Sequence, residues 1–207
     1  MIDTTIKDIN MKFNTSNDVF SPQNIDRGTL AMLSVAEIKS DDKVLDLGCG
    51  YGTVGILSAK IAGGANVVMT DIDEKAIELA RENISINNVV GVKLYQSDGF
   101  KNIVEKDFTL ILSNPPYHMD FSIPKEFIEK GFNRLVIGGK MYMVTKRKEW
   151  YKNKLISIFG GVKITEIDGY YIFMAEKKVN GYSSKKKSSG KPGTLSRTQK
   201  GEYKCKM

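Results

Sequence analysis

The stretch Val44-Leu-Asp-Leu-Gly-Cys-Gly-Tyr-Gly-Thr-Val-Gly55 decides the fold. Its first four residues form an apolar strand, glycines then occupy every second position, and an apolar pattern with helical spacing follows. Strand, glycine turn and helix make up the first half of a βαβ unit. The spacing of Gly50, Gly52 and Gly55 also fits a dinucleotide fingerprint, so a nicotinamide cofactor stays open on spacing alone. An ordinary βα turn that contains several glycines is the third interpretation.

Asp46, two residues before the first glycine, separates these interpretations. A carboxylate there repels a pyrophosphate but suits the ammonium group of an amino-acid moiety. The pattern Asp46-x-Gly48-x-Gly50-x-Gly52 resembles motif I of the class I S-adenosyl-L-methionine (SAM) methyltransferases. This resemblance implies SAM as the cofactor, and the residues it assigns to the cofactor from this stretch are Asp46, Gly48, Cys49, Gly50, Tyr51 and Gly52.

Predicted strands and helices alternate along the rest of the chain. The predicted strands are 11–15, 44–47, 65–70, 91–96, 108–112 and 141–145, with a final hairpin of 161–167 and 170–176. The predicted helices are 25–38, 56–61, 74–87, 125–136 and 150–159, and a turn is expected at Gly138-Gly139. This order predicts an α/β fold, a doubly wound sheet with helices on both faces.

Two acidic residues come at or just past the ends of predicted strands, where doubly wound sheets bind their ligands. Asp71, about 20 residues after the glycine turn, is expected to accept hydrogen bonds from ribose hydroxyls, with Ile72 beside it. Asp98 is expected to accept from the exocyclic amine of an adenine, with Gly99 or Phe100 adding a backbone N–H or a ring contact. For Asp98 alone, a turn or cap role is the favoured alternative.

The stretch Asn114-Pro115-Pro116-Tyr117 after the fourth strand indicates the chemistry. Two prolines fix the backbone and remove two N–H donors, which leaves carbonyls directed into the site. The Asn114 side-chain oxygen and the Pro115 carbonyl can each accept a hydrogen from one –NH₂ group, so that its lone pair faces an electrophilic methyl group. Tyr117 offers a flat face to a flipped base, a contact worth roughly 1–3 kcal/mol. We therefore predict all four residues to be catalytic, and Asn114 is also expected to belong to the cofactor site. The adjacent His118 is equally well explained as a base contact or as an ordinary loop residue.

Charge is distributed unevenly along the 207 residues. Residues 180–207 contain eight of the 31 basic residues and one of the 24 acidic residues, so they carry the whole net charge of +7. We predict a methyltransferase domain at 1–179 and a basic, flexible tail at 180–207 that contacts a phosphate backbone, with a purely solubilising tail as the alternative. For the basic run Lys146-Arg147-Lys148 the favoured interpretation is a solvated face, and contact with RNA phosphates is the alternative.

Composition narrows the setting of the protein. With 41% hydrophobic residues the chain can bury an α/β core, and its two cysteines give neither a disulfide framework nor a zinc cluster. The sequence has no apolar N-terminal run of signal-peptide type and no run long enough to span a membrane. We expect a cytoplasmic protein with no membrane partner.

The combination of Asp46–Ile56 with Ser113–His118 resembles the "methyltransferase small" domain, the catalytic domain of ribosomal RNA guanine-N2 methyltransferases that act on the small subunit. Residues 19–29 are similar to that family's pre-motif loop and add Asp26 to the expected cofactor site; the likeness covers about residues 10–178. It implies a Rossmann-like, mainly parallel seven-stranded sheet with an antiparallel last strand, SAM as cofactor, and ribosomal RNA or the small subunit as partner.

Other functions stay open at this point. The Asn-Pro-Pro motif is shared with adenine-N6 and glutamine-N5 methyltransferases, so it predicts an amine on an sp² carbon without saying which one. The second domain copy of the larger ribosomal enzymes is absent from these 207 residues. A non-catalytic SAM-fold module that binds RNA is the alternative from a different class.

Overall fold

The structure, a computed structural model, describes residues 1–19, 21–116 and 120–182. Nine strands and five α-helices lie within these residues. The strands are β1 Ile2–Ile6, β2 Ile9–Phe13, β3 Val44–Leu47, β4 Val67–Asp71, β5 Lys93–Gln96, β6 Phe108–Ser113, β7 Leu135–Thr145, β8 Lys163–Ile167 and β9 Tyr170–Glu176. The helices are α1 Arg27–Val35, α2 Thr53–Ala62, α3 Glu74–Ile86, α4 Ser122–Arg134 and α5 Lys148–Phe159.

Seven strands form one sheet in the order β5-β4-β3-β6-β7-β9-β8. Neighbours from β5 to β7 are parallel, whereas β9 runs antiparallel to both β7 and β8. This arrangement confirms the predicted Rossmann-like sheet with an antiparallel last strand. The winding direction reverses between β3 and β6, so the carboxyl ends of these two strands flank the crevice in which such sheets bind ligands.

Helices cover both faces of the sheet, and each face has its own apolar core. Residues of α1, α2 and α3 pack on one face, and residues of α4 and α5 pack on the other. All four residues of β3 are buried, as expected for a central strand covered on both sides. Gly55 lets α2 approach β4 closely, since a Cβ there would lie 2.4 Å from Met69 Cγ.

The N-terminal strand differs from its prediction. It covers Ile9–Phe13 instead of 11–15, and it pairs antiparallel with Ile2–Ile6 in a separate hairpin that we did not predict. The turn residues Lys7 and Asp8 have φ values of 51° and 61°. Such turns favour Asn-Gly or Asp-Gly, so a Lys-Asp pair gives no hairpin signal in the sequence.

The predicted turn at Gly138-Gly139 is wrong. The preceding helix ends at Arg134, and β7 begins at Leu135 and continues through both glycines. The pairing of β7 with β6 shifts register there, and Gly138 has a φ of 84°. The glycines therefore mark an irregularity inside one long strand. Glycine within a strand pattern can indicate such an irregularity as well as a turn.

The predicted tail falls mainly on residues 183–207, which lie outside the described residues. Just before them, the Tyr182 ring packs against Phe132 of α4 with centroids 5.2 Å apart, and its hydroxyl donates to the Glu129 carbonyl. Of the helices in the described part of the chain, none combines the length and the apolar character that crossing a bilayer requires.

Candidate active site

Hydrogen bonds from main-chain N–H groups of the glycine turn between β3 and α2 hold this turn against the end of β4. The N–H groups of Gly48 and Cys49 both donate to the Thr70 carbonyl at 2.9 Å, and the Gly50 N–H donates to Asp71 Oδ2 at 2.8 Å. Gly48 and Gly50 have φ values of 78° and 54°, which glycine adopts without strain. A Cβ on either would meet no atom within 4 Å, so the turn borders open space where a ligand can approach the backbone.

Asp46 is buried beneath this turn. Its Oδ2 accepts a hydrogen bond of 2.7 Å from the Gly55 N–H in the first turn of α2. Burial raises the pKa of Asp46 to about 7, and the charge of Asp71 acts in the same direction, while the Gly55 N–H opposes the rise. A cation beside Asp46 would favour its ionised form, as the prediction of an ammonium partner requires.

Cys49 lies in the same turn without being reactive. Burial raises the pKa of its thiol well above the usual range, and the charges of Asp46 and Asp71 add to this effect. A thiolate is the nucleophilic form of cysteine, so the side chain of Cys49 is held in its neutral form.

A cavity of about 320 Å³ lies beyond the carboxyl ends of β3, β4 and β6. It contains Asp71, whose Oδ1 also accepts from the Asp73 N–H at 3.1 Å, and Ile72, which is 64% exposed. Its remaining lining residues are Val19, Leu47, Gly48, Gly50, Thr70, Asp73, Ala76, Ser97, Asp98, Gly99, Asn114, Pro115, Pro116, Ile123 and Phe127. A large exposed apolar side chain beside hydrogen-bond acceptors suits a flat heterocycle attached to a sugar.

A second cavity of about 60 Å³ borders the same glycine turn, and Asp26, Asp46, Cys49 and Tyr51 contribute to its lining. The two cavities share Gly48, Gly50 and Asn114. Asn114 therefore stands where the larger and the smaller compartment meet. The structure thus brings together predicted residues from three separate strand ends.

The side-chain orientation of Asn114 is fixed by two acceptors. Its Nδ2 donates to Asp26 Oδ2 at 2.7 Å and to Thr29 Oγ1 at 3.0 Å. An ionised carboxylate only accepts hydrogen bonds, so the amide nitrogen must be the atom that faces Asp26. Both hydrogens of the amide are then used, which leaves its oxygen for a ligand.

Asp26 has a second role in the same place. Its Oδ2 also accepts from the Thr29 N–H at 2.7 Å and so caps the start of α1. Asp26 was predicted to contact the cofactor. In the structure its carboxylate contacts Asn114 and the start of α1, and Asp26 also lines the smaller cavity.

The other predicted residues have different surroundings. Pro115 is buried and Pro116 is exposed, and both line the larger cavity. Asp98 is exposed and forms an ion pair of 2.5 Å with Lys101, next to Gly99, which has a φ of 56°. The predictions for Tyr117 and His118 fall outside the described residues.

Sequence reasoning missed several residues that line the two cavities, and Thr29, Ile123 and Phe127 are three of them. Thr29 holds Asn114, and its spacing from Asp26 is the signal of a helix cap that was available in the sequence. Phe127 and Ile123 of α4 line the larger cavity. Phe100, for which a ring contact was considered, is buried edge-on against Phe127 with centroids 6.5 Å apart.

This fold, with its ligand crevice at the switch point of the sheet, is that of a class I SAM-dependent methyltransferase. The family described as "Methyltransferase small domain" matches residues 10–174, and the chain belongs to that family. Membership confirms the resemblance drawn from the motifs and, with it, the predicted cofactor, because these methyltransferases use SAM.

Individual relatives cover the chain to different extents. The uncharacterized protein YbxB of Bacillus subtilis (strain 168) is 33% identical over 171 residues, which are 80% of this chain and 85% of that protein. Ribosomal RNA small subunit methyltransferase C of Haemophilus influenzae (strain PittGG) is 37% identical over 157 residues, 74% of this chain and 47% of that enzyme. The chain thus spans less than half the length of that methyltransferase.

One solved structure has the same fold over most of the chain. It is the T. thermophilus 16S rRNA N2 G1207 methyltransferase (RsmC) in complex with AdoMet and guanosine, with a TM-score of 0.79 and 23% identity over 86% of this chain and 50% of that chain. At this identity the likeness is one of fold.

Proposed function

We propose that this protein transfers a methyl group from SAM to an exocyclic amine of a base in RNA, most specifically to N2 of guanine in ribosomal RNA. The observation that carries the proposal is the clamped amide of Asn114. Its nitrogen is bound to Asp26 and Thr29, and its oxygen is the group that remains for a substrate at the meeting point of the two cavities.

The cofactor site that we propose uses both cavities. Asp46, which ionises when a cation lies nearby, binds the ammonium end, with the backbone of residues 48–52 around it. Asp71 and Ile72 bind the ribose, and Asp98 with Gly99 binds the adenine end of the larger cavity. When bound, SAM supplies an electrophilic methyl group on a good leaving group.

The residues of the acceptor site position the amine. Asn114 Oδ1 and the Pro115 carbonyl each accept one hydrogen of the –NH₂ group, which directs the nitrogen lone pair toward the cofactor. Proline at 115 and 116 leaves the backbone with acceptors alone at this point. Alignment of this kind provides most of the rate, so no strong general base is required, and the proton leaves to solvent after transfer. Tyr117 is proposed to stack on the base.

The choice of guanine in ribosomal RNA is supported by the relatives. Methyltransferase C acts, by its name, on small-subunit ribosomal RNA, and the T. thermophilus enzyme of the same fold is described as an N2 methyltransferase in complex with guanosine. We propose residues 1–179 as the methyltransferase domain and the basic residues 180–207 as an additional contact with RNA.

Methyl transfer from radiolabelled SAM tests the proposal, with protein-free ribosomal RNA, assembled small subunits and total protein as parallel acceptors. Nucleoside analysis is expected to find the label in N2-methylguanine. Label in N6-methyladenine or only in protein would overturn the guanine assignment, and SAM binding without label in any acceptor would favour a non-catalytic module.

The variant Asn114→Ala tests the residue that carries the proposal. It removes the acceptor that orients the amine, so we expect kcat to fall about 10²–10³-fold, the range typical of losing one preorganised hydrogen bond in a transition state. SAM affinity, measured by calorimetry, is expected to stay within twofold. Asn153→Ala on the exposed side of α5 is the matched control. Retention of most activity by Asn114→Ala would exclude the assigned role.

A further inference from the structure

Three consecutive cations leave the sheet at the edge that carries Asn114. Lys146, Arg147 and Lys148 follow directly after the last residue of β7. The strand β7 runs parallel to β6, with Met143 opposite Ser113, so both strands end at the same edge. The basic run therefore lies beside the acceptor site and not at the remote end of the sheet.

Each of these cations lies over an aromatic ring. Lys146 Nζ is 4.8 Å from the centroid of Tyr170, the Arg147 guanidinium carbon is 4.8 Å from Phe121, and Lys148 Nζ is 4.9 Å from Tyr171. We call these six residues the basic-aromatic rim. Cation–π contacts restrict the charged ends of long side chains, so this rim is more ordered than a merely solvated charge run.

The rim is joined to the clamp on Asn114. The Tyr170 ring packs on Gly28, where a Cβ would lie 2.9 Å from Tyr170 Cε1, and Gly28 directly precedes Thr29 in α1. On the other side, the Phe121 ring stacks on Trp150 with centroids 4.4 Å apart and an interplanar angle of 18°. Aromatic rings and positive charges thus lie next to the elements that hold the Asn114 amide.

The opposite side of the crevice has the reverse charge. Asp71, Asp73 and Asp98 line the larger cavity at the ends of β4 and β5. A polyanion approaching Asn114 is repelled by that side and attracted by the rim. Phosphate contacts and base stacking are the two interactions by which proteins bind single-stranded RNA, and the rim offers both.

We propose that the basic-aromatic rim binds the phosphates and bases of the RNA segment next to the target nucleotide. Lys146 and Lys148 contact phosphates, and the partly exposed Trp150 ring, which is held by Phe121, contacts a base of the same segment. This inference rests on the proposed function, because it supposes an RNA substrate at Asn114, and it specifies the direction from which that substrate enters.

The test compares the full-length protein with the double variant Lys146→Ala/Lys148→Ala, with protein-free small-subunit ribosomal RNA as the probe. The slope of log Kd against log salt concentration is expected to decrease in magnitude by about 1.4, since each contact with single-stranded phosphate contributes about 0.7. The matched control is Lys39→Ala/Lys163→Ala, which removes two exposed lysines near the opposite edge of the sheet. Its slope is expected to equal that of the unchanged protein, and SAM affinity is expected to be the same in all three.

Trp150, the single tryptophan of the chain, gives a local readout. RNA at the rim is expected to change its fluorescence, and the double variant is expected to shift the midpoint of that change to higher RNA concentration. The inference would be overturned if the double variant bound RNA with the same salt slope and the same change in Trp150 emission as the unchanged protein. If RNA binding depended on the rim but no methyl label appeared in any nucleoside, the result would count against the proposed function and still support RNA binding by the rim.

Discussion

The carboxyl edge of the sheet has two halves that are built differently. Around β3, β4 and β5, acidic side chains bind backbone N–H groups that lie 2 to 21 residues away: Asp46 binds Gly55, and Asp71 binds Gly50 and Asp73. Around β6, β7 and β9, the corresponding contacts join distant side chains, as when Asp26 and Thr29 hold Asn114. The first half is acidic, and the second bears the basic-aromatic rim.

In the proposed function, the first half binds the cofactor and the second half binds the RNA. A ligand with an ammonium group and ribose hydroxyls is complementary to buried or partly buried carboxylates, whereas an RNA strand is complementary to cations and rings. Although the two halves meet at Asn114, their hydrogen bonds are made by different side chains, so a substitution in one half is expected to leave binding in the other half unchanged. Three substitutions test that independence, in order of decreasing expected effect.

The largest effect is expected for Gly50→Val in the cofactor half. A side chain at this left-handed residue projects into open space where we propose that SAM binds, so SAM affinity is expected to fall more than 100-fold while RNA affinity is kept. The backbone strain costs about 1–2 kcal/mol. Gly138→Val, also at positive φ and in open space, controls for that strain. Loss of RNA binding by Gly50→Val alone would contradict the independence of the halves.

Asp46→Asn is expected to weaken SAM binding by roughly 10- to 100-fold at pH 8, since one charge-assisted hydrogen bond contributes roughly 1.5–3 kcal/mol. In the unchanged protein the affinity is expected to rise with pH up to about 7, the pKa of Asp46, because the ammonium group binds the ionised carboxylate. The variant should lose this pH dependence. Calorimetry between pH 5.5 and 8.5 measures both effects, with Asp41→Asn as an exposed control.

The same substitution has an opposite effect on stability. The pKa of Asp46 is raised by folding, from 3.8 to about 7, so its contribution to stability is present below about pH 4 and is lost as pH rises through 7. In the absence of cofactor, Asp46→Asn is therefore expected to raise Tm at pH 8 and to change it little at pH 4. A lower Tm at pH 8 would show that the buried carboxylate is stabilising when ionised.

The smallest effect is expected for Thr29→Val in the acceptor half. The change removes one of two acceptors for Asn114 Nδ2 and keeps the backbone N–H that Asp26 caps. A loss of about 1 kcal/mol corresponds to a roughly fivefold lower kcat, with an unchanged KM for SAM. Thr29→Ser, which retains the hydroxyl, should restore kcat. An effect on KM alone would assign Thr29 to cofactor binding.

The two halves of this edge also differ in how much of the site could be predicted from the sequence. The glycine turn and Asp46 were predictable because they belong to one short stretch, residues 44–55, in which residue type and spacing are informative. The partners of Asn114 lie 85 and 88 residues away, and no local pattern indicates which side chains the fold will bring to it. The same limit hid Phe127, which reaches the cavity from α4.

The alternation of strands and helices was enough to predict a doubly wound sheet, whereas the seven strands and the antiparallel last strand were implied by the resemblance to the family. The errors occurred where glycine and turn chemistry mislead. Lys7 and Asp8 make a tight turn without the expected residues, and Gly138 and Gly139 continue a strand that their identity suggested would stop. The catalytic and cofactor-binding roles of all the predicted site residues, Tyr117 among them, stay predictions, as does the role of residues 180–207.

The shared carboxylate of Asp26 has a consequence for how the enzyme can be observed. One oxygen, Oδ2, accepts from both the Thr29 N–H and Asn114, so fraying of the first turn of α1 is expected to release the Asn114 amide, which we propose to be catalytic. The hydrogen-exchange rate of the Thr29 amide then measures how often α1 opens locally while the rest of the protein stays folded. In the proposed function, the protein is unable to react during these openings.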